Sequence, residues 1–107
     1  FSVPHPLFAF LHDEAPPFLF QRNGAGYFSG RNELFEGQIW QLDGSRVPVR
    51  CIHKTLDDYF RALTAAGFTL MPDVQELYTQ PKHLEIDPKF FGPLEDKPLH
   101  LAFRVSR

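Results

Sequence analysis

The sequence has little with which to cross-link itself or hold a metal. Cys51 is the single cysteine among 107 residues, so neither an internal disulfide framework nor a cysteine-based zinc cluster can form. His12, His83 and His100 show no metal-ligand spacing with one another or with Cys51, and no metal site is expected. No apolar run approaches the roughly 20 residues needed to span a bilayer, so no membrane partner is expected. A basic stripe is lacking too. Eleven Lys and Arg stand against 13 Asp and Glu, for a formal charge of −2, which argues against a nucleic-acid partner. No basic segment followed by an apolar one marks a signal peptide, and a lone thiol fits a reducing cytoplasm. The chain opens on Phe1 rather than Met, which points to trimming or to a longer parent.

What is present is aromatic and proline-rich: 12 Phe and 10 Pro, against one Trp and three Tyr. Phe1 to Val3 reads as the end of a strand stopped by Pro4. Residues 5–22 have apolar content without period and are broken by Pro6, Pro16 and Pro17, so an ordered irregular loop is expected. Asn23 to Arg31, with Gly24, Gly26 and Gly30, reads as a loop or turn. Gln38 to Leu42 and Val47 to Ile52 flank Asp43-Gly44, a hairpin signal. Pro48 makes the second of these an edge or irregular strand.

Thr55 to Gly67 is the clearest element. Leu56, Tyr59, Phe60 and Leu63 fall on one face of a helix. Thr55 and Asp58 form a capping-box pair, Asp57 and Asp58 suit the positive end of the helix dipole, and Gly67 supplies the left-handed stop. Phe68 to Met71 is expected as a strand ended by Pro72. A short helical turn is expected near Val74 to Tyr78. Leu99, Leu101, Phe103 and Val105 alternate with polar or small residues, which predicts a half-buried last strand.

The predicted fold class is α/β: strand, insertion with a β-hairpin, helix, strand, antiparallel last strand. A strand–helix–strand unit favours parallel strands. About three main strands and one helix leave an exposed edge and a poorly covered face, which a free-standing domain would need to cover.

Three segments resemble the C-terminal half of class I S-adenosylmethionine-dependent methyltransferases. FSVPHP (Phe1 to Pro6) is similar to the end of their fifth strand. HKTLDDYFRALTAAGF (His53 to Phe68) is similar to their last helix and the approach to the sixth strand. KPLHLAFRVSR (Lys97 to Arg107) is similar to their final strand. The resemblance implies that residues 1–107 are the acceptor-side part of a Rossmann-like sheet, with 7–52 a substrate-loop and hairpin insertion. It also implies a final antiparallel strand slipped between the fifth and sixth. The complete enzyme would use S-adenosylmethionine, but no cofactor-binding residue can be carried over. Gly24-Ala25-Gly26 follows no clear strand and opens no helix. This chain alone is therefore expected not to bind the cofactor, and its implied partners are a cofactor-binding half and a small-molecule acceptor. The alternative is a non-catalytic binding or dimerisation module, its sheet edge paired in a homodimer. An inactive structural core is the third reading.

Ligands of open α/β sheets lie beyond the carboxyl ends of the parallel strands. His5 follows a strand end, and His53 precedes the helix that leaves the same edge. Both are candidates to face one cleft as catalytic bases, or else to hydrogen-bond the loop backbone. In the family resembled, this insertion covers the acceptor site and commonly carries a Tyr and an Arg, so the resemblance implies Tyr27 and Arg31 as substrate-binding residues, Arg31 as a clamp for an anionic group. The plainer reading pairs Arg31 with Glu33 or Glu36. Trp40 is read as hairpin packing rather than an aromatic platform. Phe8, Phe10, Phe18, Phe20 and Phe28 either pack under a lid or line an apolar acceptor pocket.

Overall fold

A computed structural model describes residues 1–12, 17–41 and 43–106. Leu42, expected to end a strand, Pro16 of the proline pair, and Arg107 lie outside the described residues. Over the described residues the chain is mixed α/β with two three-stranded antiparallel sheets. The elements are β1 (Ser2–Pro4), α1 (Phe8–Leu11), β2 (Phe18–Gln21), β3 (Leu34–Trp40), β4 (Arg46–Ile52) and α2 (Leu56–Ala65). They continue as β5 (Asp73–Tyr78), α3 (Pro81–Ile86), α4 (Pro88–Phe91), a 3₁₀ turn (Gly92–Leu94) and β6 (Pro98–Arg104).

The first sheet has the order β1-β6-β5. Both outer strands are antiparallel to β6, so β1 and β5 run parallel to each other across it. Alternation along β6 divides its residues as expected. Leu101 and Phe103 are buried while His100 and Arg104 are exposed. Phe103 carries the side of the sheet that meets α2: Phe1 stacks on its ring at 5.1 Å, and Phe60 meets it edge-on at 5.7 Å. The capping-box residues stand where the sequence places them, Thr55 as the N-cap and Asp58 three residues on. Gly67, at φ +95°, closes α2. The Phe68 N–H reaches the Leu63 carbonyl and the Gly67 N–H reaches that of Thr64, the Schellman pattern that ends a helix on a left-handed residue.

The second sheet, order β2-β3-β4, forms inside the insertion between β1 and α2. The hairpin joins β3 to β4 at the expected place, with Gly44 at φ +85° in its turn and Pro48 on the edge strand. Gly37 is required by its neighbours. A Cβ there would lie 2.3 Å from the Leu19 carbonyl oxygen and 2.7 Å from the Phe20 ring. Gly37 thus leaves room for the Phe20 ring, which with Phe8, Ala9 and Phe35 forms the buried cluster of the insertion.

Three expectations are corrected. The irregular loop at 5–22 contains α1 and a third strand, β2, because Phe18 to Gln21 finds a partner in β3. Phe68 to Met71 is not a strand. The Schellman turn throws it outward, Leu70 and Met71 are exposed, and the strand lies beyond Pro72, at 73–78. The helical turn expected at 74–78 is displaced to 81–86 and 88–91, each begun by a proline at the first helical position. Pairing is antiparallel throughout the described residues, so the parallel relation of β1 and β5 is indirect.

Candidate functional site

Three of the four candidate residues meet at the start of α2. Thr55 is fully buried, and its backbone N–H donates to Asp58 Oδ2 at 2.9 Å. Its hydroxyl donates to Asp57 Oδ1. These bonds hold both carboxyls below the usual aspartate range. The leading cause is the Thr55 hydroxyl for Asp57 and the Thr55 backbone N–H for Asp58. Arg31 closes the cluster from the glycine-rich turn. Its Nη2 donates to Thr55 Oγ1 at 2.9 Å and to Asp57 Oδ1 at 3.0 Å, and its Nε donates to Asp58 Oδ2 at 3.1 Å. The plain reading of Arg31 is thus corrected in its partners: the acids are Asp57 and Asp58. Glu36 lies instead near Arg50, at 3.9 Å.

Tyr27 bridges the same region twice. Its phenol oxygen accepts from the Leu56 N–H at 2.8 Å, satisfying one of the free amides that every helix start exposes. Its backbone carbonyl accepts from His53 Nε2 at 2.7 Å. His53 is only 3% exposed. Its ring stacks on Phe35 at 5.3 Å and meets Phe10 and Tyr27 edge-on at 5.0 and 5.4 Å. A nitrogen that donates to a carbonyl carries the proton, so Nε2 has no lone pair to offer a substrate. Backbone bonds from Asn32 N–H to His53 O and from His53 N–H to Glu33 O fix the residue further.

His5 stands elsewhere, just past β1. Its Nδ1 accepts from the Leu7 N–H at 3.1 Å, and its Nε2 donates to Glu76 Oε2 of β5 at 2.8 Å. Among the described residues no hydrogen bond or ring contact joins His5 to His53. The two histidines work as ties, one across the first sheet and one inside the insertion.

The aromatic set divides. Phe8, Phe18 and Phe20 border a cavity of about 340 Å³ between the second sheet and the start of β6. Phe10 packs against Phe35, Tyr27 and His53. Phe28 is exposed. Trp40 lies under the Arg46 guanidinium, 5.0 Å from ring centre to carbon, and is hairpin packing. Sequence reasoning missed the link from Arg31 to Asp57 and Asp58. An arginine in a glycine-rich turn and an acid pair at a helix start are complementary, but 26 residues separate Arg31 from Asp57. It also missed Glu76, whose strand was not recognised.

Among the described residues no group of three or more His, Cys, Asp or Glu is placed to hold a metal ion, and no helix is long and apolar enough to cross a membrane. Comparison with protein-family models, with curated proteins and with solved structures gave no match.

Proposed function

We propose that this chain is the acceptor-side half of a class I S-adenosylmethionine-dependent methyltransferase, serving a small-molecule methyl acceptor when joined to a cofactor-binding half. The observation that carries the reading is the strand order β1-β6-β5. The last strand of the chain lies antiparallel between two strands that are parallel to each other, the arrangement the family resemblance implies. A helix ended by Gly67 connects the insertion to β5, and the insertion folds as a separate small sheet. The residues present do not fit the cofactor. Gly24 and Gly26 sit in the turn between β2 and β3, where no helix N-terminus can meet a nucleotide. Cofactor contacts therefore belong to the other half.

The test has two arms. Calorimetric titration of the 107-residue chain with S-adenosylmethionine should give no tight binding. A chain extended upstream by a strand, a glycine-rich turn and an acid about 20 positions on should bind it. Tight 1:1 binding by the short chain, or none by the extended one, overturns the proposal.

A second reading is supported by the outer edge of β1, which pairs with no strand among the described residues, and by β5, exposed at all six positions. In it the chain is a non-catalytic module whose edge pairs with a second copy. Light scattering that finds a monomer at high concentration counts against it.

A further inference from the structure

The cavity between the second sheet and the start of β6 is the feature that folding alone accounts for least. Its volume of about 340 Å³ lies within the range of roughly 300–1,000 Å³ typical of ligand pockets. An apolar concavity of this size leaves ring and methyl surface against water, a cost that a bound apolar ligand would relieve. β2, β3, β4 and the start of β6, two short helices, the 3₁₀ turn and the end of β1 converge on this space, yet none sends a side chain large enough to fill it. Pro4, the last residue of β1, borders it. That places the cavity where β1 ends and β6 begins.

We infer that this cavity binds a neutral, flat, mostly apolar small molecule and is the acceptor pocket of the chain. The word acceptor rests on the methyltransferase reading; the binding does not. The chemistry of the lining decides the class. Phe8 meets Phe18 edge-on at 4.9 Å and Phe20 at 5.5 Å, and Phe90 meets Phe18 at 6.2 Å. Ile39, Val49 and Leu99 supply the aliphatic surface. Ring edges and methyl groups suit an aromatic plane. Arg50, the one Lys or Arg of the lining among the described residues, keeps its side chain 75% exposed beside Glu36. An ionised ligand would thus lose its hydration without gaining a buried partner. Among the described lining residues, the Cys51 thiol and the His100 ring, which stacks on Phe8 at 6.3 Å, are the polar groups left to meet a hydroxyl. Phe90 also borders the open groove beside Trp40, so its ring lies between the cavity and that groove.

The probe is 2-naphthol, with naphthalene-2-carboxylate as its charged counterpart, added to the 107-residue chain. Intermolecular nuclear Overhauser contacts should run from the naphthol protons to Phe8, Phe20 and Val49. Saturating naphthol should slow iodoacetamide alkylation of Cys51 at least five-fold, while the carboxylate at equal concentration leaves the rate unchanged. Val49→Trp, which fills the space, should weaken naphthol binding at least ten-fold. If that variant does not fold, the wild-type contacts and Cys51 protection decide. Absence of those contacts, no protection, or equal protection by the carboxylate overturns the inference. The upstream-extended chain separates the two proposals. Naphthol bound in the cavity without S-adenosylmethionine binding keeps the pocket and removes the methyltransferase. The reverse result removes the pocket alone.

Discussion

Replacing His53 by Phe separates a structural histidine from a chemical one. The substitution keeps a ring of similar size between Phe35 and Phe10, so the stack at 5.3 Å and the edge contact at 5.0 Å survive. What it removes is the Nε2 donor to the Tyr27 carbonyl, a bond of 2.7 Å in a partly buried setting. Leaving a buried acceptor without a donor costs about 1–3 kcal/mol. Partial solvent access places His53→Phe in the lower part of that range, about 1–2 kcal/mol. His53→Ala loses the donor and the ring together, and by the scale of aromatic-to-alanine changes should cost about 3–5 kcal/mol. For a domain of this size each kcal/mol moves the midpoint by about 4–8 °C. Urea unfolding, followed by the fluorescence of Trp40, measures both variants against wild type, with unchanged slopes showing that only stability has moved. The reasoning is refuted if His53→Phe matches wild type within about 0.3 kcal/mol, or if His53→Ala costs no more than His53→Phe.

Gly37→Ala should destabilise by about 1–3 kcal/mol through overpacking, since its Cβ would sit 2.3 Å from the Leu19 carbonyl oxygen; a neutral thermal melt would show that β2 and β3 can move apart freely. Arg31→Lys replaces a planar fork that reaches Thr55, Asp57 and Asp58 by a single ammonium. The start of α2 should then fray, read as several-fold faster hydrogen exchange at the Tyr59 and Phe60 amides; unchanged exchange would remove Arg31 from the account of the helix. Asp57 and Asp58 titrate below the usual range because of their bonds to Thr55. Their contribution is therefore fully present above about pH 4, the unfolded value, and is lost as the pH falls through the lowered folded values. The Asp57→Asn, Asp58→Asn double variant should flatten that acid limb in a series of melts, and a limb of undiminished slope would place its origin in other carboxylates.

How much was legible depended on whether a signal was local. For α2 the N-cap, the apolar face and the stop lie within 13 consecutive residues; the cap and stop agree with the structure, and the face does at Tyr59, Phe60 and Leu63, while Leu56 is exposed. The hairpin and β6 carry equally short signatures, Asp43-Gly44 and the alternation from Leu99 to Phe103. β5 carries none. All six of its positions are exposed, so no buried face imprints a period, and the apolar run at 68–71 draws the strand to the wrong side of Pro72. β2 was hidden because prolines broke the pattern around it, and only its partner β3 makes it a strand. The site follows the same rule. Residue types at Tyr27, Arg31 and His53 were visible, but their common destination at α2 is a long-range fact.

That destination changes what mutagenesis at these positions would mean. α2 buries none of its residues completely; its apolar side meets the first sheet through Tyr59 and Phe60 against Phe103. A helix held so lightly by its apolar face depends on how its first turn is anchored. Tyr27 supplies an acceptor for the Leu56 amide, Arg31 ties the turn to both aspartates, and His53 fixes the Tyr27 carbonyl. Each would therefore reduce activity in a complete enzyme by displacing α2, whether or not it touched a substrate. Loss of turnover in a His53 or Arg31 variant does not identify a catalytic residue by itself. A chemical role predicts lost turnover with the amide exchange of α2 intact, whereas the anchoring role predicts that exchange and turnover change together, in proportion, across Tyr27→Phe, Arg31→Lys and His53→Phe.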